Sequence, residues 1–206
     1  MRFSRRDFLQ HSAAFAAGFG GLKTLSAYQS KKDALRTEGY GVLQPDPNQI
    51  LELPKGFRYS IISEAGQMMN DGLVVPGKPD GMAAFPGPKG TTILVRNHEI
   101  NPAVTPTVGP FGKDNNKLTD GIRAKLYDPG ERPNLGARVP CLGGTTTLVY
   151  DTQRQRTVQQ FLSLSGTLRN CAGGLTPWGS WITCEETVER AGKVCSLDHG
   201  YNFEVP

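Results

Sequence analysis

Asn170-Cys171-Ala172-Gly173-Gly174-Leu175-Thr176-Pro177, continued by Gly179-Ser180-Trp181-Ile182-Thr183-Cys184-Glu185-Glu186, repeats a pattern met earlier as Asp80-Gly81-Met82-Ala83-Ala84-Phe85-Pro86 and Gly90-Thr91-Thr92-Ile93-Leu94-Val95-Arg96-Asn97-His98-Glu99. Each copy runs from a polar, ligand-type residue through small residues to an apolar one, then Pro, Gly, a strand, and a cluster of carboxylate or imidazole side chains. Ile93 and Ile182 are 89 residues apart, roughly twice the 40 to 50 residues of one propeller blade. Gly144-Thr145-Thr146-Thr147-Leu148-Val149-Tyr150-Asp151 stands between them as an intermediate strand. A β-propeller produces this spacing.

The rest of the chain agrees with an all-β fold. Phe57 to Ile62, Thr91 to Arg96, Thr145 to Tyr150, Gly179 to Cys184 and Tyr201 to Val205 are rich in aromatic and β-branched residues and read as strands. The turn Asp151-Thr152-Gln153-Arg154-Gln155 should fold Thr145–Tyr150 back onto Thr157–Leu164 as a hairpin. No segment carries a helical apolar period over three turns. The stretch from Asn101 to Leu142 holds Pro102, Pro106, Pro110, Pro129, Pro133 and Pro140 and reads as an insertion with short elements of its own, including a helical turn within Asp120 to Tyr127.

Composition supports this. Gly 25 and Pro 15 in 206 residues supply many turns, and 37% hydrophobic residues suffice for a β-rich core but exclude a coiled coil or helical bundle. The net charge of +4 is concentrated at the N-terminus, leaving 19 basic against 18 acidic residues beyond the first 27. That near balance excludes a nucleic-acid footprint.

Ser4-Arg5-Arg6-Asp7-Phe8-Leu9, the Ala/Gly-rich run from Ser12 to Gly21 and Leu25-Ser26-Ala27 read as a twin-arginine export signal with its cleavage region. The apolar run is shorter than the roughly 20 residues of a spanning helix, so no stable membrane anchor is expected. The expected organisation is a signal over residues 1–27, an extended linker over 28–54, and a propeller portion over 55–206. About three blades fit into the remaining length, whereas propellers close with typically four to eight. The chain is therefore expected to be part of a longer, truncated propeller.

Carboxylates at corresponding ends of repeated strands converge on one axis in a propeller, where their mutual repulsion is offset by a cation. Glu99, Glu185 and Glu186 are the candidates, and hard oxygen ligands suit calcium. Cys141, Cys171, Cys184 and Cys195 leave two readings open: two disulfides, or a thiolate ligand at Cys171, whose loop of small residues lets an ion approach. A thiolate among carboxylates selects a softer metal such as iron. His98 and His199 fit a role in orienting a neighbouring carboxylate better than one in proton transfer.

Ser165 to Glu186, with Arg96-Asn97-His98-Glu99 and Gly143 to Asp151 before it and His199-Gly200-Tyr201-Asn202-Phe203-Glu204-Val205 after it, closely resembles the PhoX-type alkaline phosphatases, over a span from about Leu53 to the end. The resemblance implies a twin-arginine-exported, periplasmic or secreted, six-bladed propeller that hydrolyses small-molecule phosphate monoesters as a monomer in its full-length form, with iron and calcium in its channel. It implies Cys171 as an iron ligand, Glu99, Glu185 and Glu186 as carboxylate ligands, and Glu204 as a further one. The chemistry would be metal-assisted phosphoryl transfer, needing no nucleophilic Ser motif or Gly-rich phosphate loop. Two other functions fit the residues: a calcium-dependent propeller hydrolase such as a lactonase or phosphotriesterase, and a non-catalytic calcium-stabilised propeller.

Overall fold

The structure is a computed structural model that describes residues 39–101, 109–132 and 137–206. The signal and residues 28–38 of the expected linker lie outside the described residues. The chain divides into two units at Ser60/Ile61. In the first, residues 39–60 form more than an extended linker: β1 (Leu43–Gln44) and β2 (Leu53–Pro54) pair antiparallel. The Asp46 carboxylate closes their turn by accepting from the Asn48, Ile50 and Leu51 amides and from the Tyr59 hydroxyl at 2.7 Å. Phe57 to Ile62, expected as a strand, joins no ladder. Phe57 and Ile61 are more than half exposed, so the apolar content that suggested a strand has no sheet to cover.

The second unit is all-β. β3 (Pro79–Pro86), β4 (Thr91–His98), β7 (Gly143–Asp151) and β8 (Arg156–Thr167) form a four-stranded antiparallel meander in that order. β9 (Asn170–Leu175), β10 (Trp181–Glu185) and β11 (Asn202–Val205) form a second, three-stranded meander. Both copies of the repeated pattern are thus hairpins, with Phe85 opposite Ile93 in one and Gly174 opposite Ile182 in the other. The β7–β8 turn is built as the sequence suggests: Asp151 accepts from the Gln153 and Arg154 amides, and Gln155 takes a left-handed φ of 51°.

β7 lies between β4 and β8, so its Thr-rich run is buried on both faces and each hydroxyl needs a partner. Thr145 Oγ1 meets Ser163 Oγ at 2.8 Å, and Thr146 Oγ1 meets His98 Nε2 at 2.9 Å. The insertion between β4 and β7 holds the ribbon β5 (Glu131–Arg132) with β6 (Ala137–Arg138) and one helical turn, Asp120–Arg123, capped by Thr119. It is anchored by apolar packing: Ile100, Phe111 and Leu142 bury against Met69, Leu73 and Val75. Full burial of a side chain such as Phe111 contributes about 1.5–3 kcal/mol. A second cluster, Ala83, Val95, Trp181 and Val205, joins the two meanders.

Candidate functional site

Antiparallel pairing decides where the polar residues go. The first strand of a hairpin starts where the second ends, so Pro79 faces His98 across β3–β4, and Asn170 faces Glu185 across β9–β10. Asp80 and Glu99 therefore sit at one hairpin end, Cys171 and Glu186 at the other. Asn97 ties the two ends together. Its Nδ2 donates to the carbonyls of Cys171 at 2.7 Å and Ala172 at 3.0 Å, while its Oδ1 accepts from Trp181 Nε1 at 2.9 Å. The strands approach so closely that a Cβ on Gly81 would lie 2.5 Å from the Cys171 carbonyl oxygen.

The result brings Asp80, Glu99, Cys171 and Glu186 to one region, although no three of their ligand atoms lie within 4.8 Å of one another. Partial burial, then Asp80, Glu186 and Glu99, push the Cys171 thiol above its ordinary range. Arg169, in the two-residue turn between β8 and β9, takes a left-handed φ of 49°. Its amide donates to Ile100 O, its carbonyl accepts from the Glu186 amide, and its guanidinium bridges Glu99 at 3.3 Å and Glu186 at 3.2 Å. One guanidinium among three carboxylates leaves an excess of negative charge beside a sulfur donor. That donor set fits calcium through its oxygens and iron through its thiolate.

The other sequence candidates lie elsewhere. Glu185 turns inward: Oε1 accepts from the Leu168 amide at 2.7 Å and His199 Nδ1 at 2.6 Å, and Oε2 accepts from the Gly200 and Tyr201 amides. Glu204 sits on β11 opposite Ile182 and accepts from Trp178 Nε1 and Ser180 Oγ, near the far end of the β9–β10 hairpin. Four residues along a strand separate Ile182 from Glu186, roughly 13 Å. The His98 ring donates from Nδ1 to Gly77 O and accepts from Thr146 at Nε2, so its partners are a carbonyl and a hydroxyl. Burial, with Arg96 nearby, holds it down at about 4. His199 does meet carboxylates, Glu185 and Asp128 at 3.2 Å. Burial alone would lower it, but Asp128, Cys141 and Glu185 together push it up to about 12. All four cysteines are thiols, which removes the two-disulfide reading from this structure.

Sequence reasoning passed over Asp80 and Arg169 as site residues. Asp80 had a signal, because it occupies the place of Asn170 in the repeat. Arg169 had only its position next to Asn170-Cys171; its bridging role depends on a backbone turn.

Fold and site together define an all-β protein with a thiol and carboxylate cluster at the joined ends of two hairpins. A family model described as alkaline phosphatase PhoX matches residues 38–125 and 140–206, and the chain belongs to that alkaline phosphatase family. No curated protein and no solved structure matches the chain. Among the described residues, no helix is long and apolar enough to cross a membrane.

Proposed function

We propose that the chain belongs to a metal-dependent phosphomonoesterase acting outside the cytoplasm on small-molecule phosphate esters, with Asp80, Glu99, Cys171 and Glu186 as ligands to calcium and iron. The observation that carries this reading is the joining, through Asn97, of the hairpin ends that carry Asp80 and Glu99, Cys171 and Glu186, with Arg169 bridging Glu99 and Glu186. The two consecutive meanders, four-stranded and then three-stranded, support a propeller, since blades are antiparallel meanders placed one after another. A propeller channel would bring later strand ends to the same axis.

When bound, metal supplies Lewis-acid neutralisation of the phosphate oxygens and keeps the Cys171 thiol ionised. The chain's own residues do the rest. Glu99 and Glu186 hold the Arg169 guanidinium in place, Glu99 through Nε and Nη2 and Glu186 through Nη2. Nε and Nη2 are taken by these carboxylates, which leaves Nη1 to donate to a phosphate oxygen and orient the ester. Asn97 fixes the backbone of Cys171 and Ala172 and so holds the thiol at the cluster. Glu185 stays outside this set, its oxygens already occupied by four N–H donors.

The test is metal dependence of phosphomonoester hydrolysis. Chelation should abolish turnover, and added calcium should restore part of it, because oxygen-ligated calcium exchanges more readily than thiolate-bound iron. Cys171→Ser should remove most of the iron and the activity while the fold persists. Full-rate hydrolysis after exhaustive chelation, or a wide preference for lactones, overturns the reading.

A further inference from the structure

We propose that Asp128, Cys141, Cys195 and His199 form a second metal site, structural and tetrahedral, suited to zinc. The four come from separate parts of the second unit. Asp128 follows the helical turn of the insertion, Cys141 precedes β7, and Cys195 and His199 lie in the β10–β11 connection. All four are buried, none more than 2% exposed.

Three of the four already approximate a coordination shell. Ligand atoms of Asp128, Cys195 and His199 lie within 4.8 Å of one another; Cys141 stands outside that group, beside His199, and would close in on it as the fourth ligand. His199 Nε2 is 3.2 Å from Asp128 Oδ2 and 3.7 Å from Cys141 Sγ. Zinc bond lengths at tetrahedral angles place a nitrogen and an oxygen ligand about 3.3 Å apart, and a nitrogen and a sulfur about 3.5 Å apart. Both edges match to within a few tenths of an ångström.

The surroundings fit the same role. His199 Nδ1 donates to Glu185, which leaves Nε2 for the metal, and a carboxylate on the far nitrogen is the usual means of orienting a ligating imidazole. Glu185 is itself fixed by the Leu168, Gly200 and Tyr201 amides. Asp128 is held by the amides of Gly130, Ser196 and Leu197 and by the Ser196 hydroxyl. Leu168, packed with Cys141 and Cys195, keeps water away. Two thiolates, one imidazole and one carboxylate select zinc over calcium or magnesium. Binding displaces the Nε2 proton of His199 and the two thiol protons into solvent. The ion would then staple the insertion and the β10–β11 connection to the start of β7. The site shares no residue with the Cys171 cluster and stands whether or not the chain hydrolyses phosphate esters.

The experiment is metal analysis of the purified chain, with cobalt(II) replacing zinc as a spectroscopic probe. The wild-type chain should retain one equivalent of zinc after dialysis against metal-free buffer, and Cys195→Ser should lose it. Cobalt should give the intense near-ultraviolet thiolate charge-transfer band and the visible bands of a tetrahedral site. Should Cys195→Ser fail to fold, the wild-type cobalt spectrum decides by itself. Absence of the thiolate band in a cobalt-equilibrated wild-type chain overturns the proposal, as does a Cys141–Cys195 disulfide found by peptide mapping without reduction. Metal lost from Cys171→Ser alone bears on the phosphatase reading and leaves this site untouched.

Discussion

Glu185 and Glu186 are neighbours with opposite fates. Side chains alternate faces along a strand, so two consecutive carboxylates at the end of β10 cannot both line one site. Glu186 reaches Arg169, whereas Glu185 is fully enclosed beside His199. In the metal-free chain Glu185→Gln removes the negative charge facing the buried His199 imidazolium, and breaking such a pair costs about 3 kcal/mol. The variant should show that loss in denaturant unfolding; unchanged stability would mean that Glu185 faces elsewhere in the native protein. His98 provides a pH prediction. Its folded value of about 4 lies below the ordinary 6.5, first because of burial. As pH falls through 6.5 the unfolded chain therefore takes up the proton first, and stability declines until about pH 4. Between pH 7.5 and 5 this single group should lower stability by about 2 kcal/mol. Unfolding of the wild type and of His98→Gln at both pH values isolates it, the variant showing a correspondingly smaller decline. The local sequence made both histidines visible but not their partners. Gly77 and Thr146 reach His98 from 21 and 48 residues away.

At the level of elements, the repeated pattern was legible because a hairpin is local. Turn chemistry at Gly90 and Gly179 and the β-branched runs after them were enough to place β4 and β10. The joint between the hairpins was not legible, because it depends on two strands from different sheets meeting at their first residues. Gly81 permits that meeting, since a Cβ there would lie 2.5 Å from Cys171 O, whereas Gly173 is packed against Ile182 and Trp181 within its own hairpin. Gly81→Ala should force β3 from β9 against a backbone carbonyl that has no rotamer to change. Overpacking of this kind costs about 1–3 kcal/mol. The thermal midpoint should fall accordingly, and a wild-type midpoint would show that the strands are not in this contact. Phe57 to Ile62 teaches the converse: strand-like composition makes no strand without a neighbouring edge to pair with.

For the whole molecule, the concentration of basic charge in the first 27 residues leads to a prediction about destination. Replacing Arg5 and Arg6 with Lys keeps the charge but removes the twin-arginine pair, so the precursor should accumulate in the cytoplasm. Cell fractionation checks this, and normal export of the variant would contradict it. The sequence alone determined the all-β class, most of the strands, and the fact that Glu99, Cys171 and Glu186 stand at hairpin ends. Each of these follows from interactions within a few residues, where the period-two pattern and turn residues act directly. Only the tertiary structure decided that Asp80 joins that cluster, that Arg169 bridges it, and that Glu204 lies at the other end of its hairpin. It also decided that Asp128 meets His199 across 71 residues of chain. Such contacts arise from the packing of one sheet against another and of the insertion onto both. Packing is a property of faces and volumes summed over the fold, which no short stretch of sequence displays.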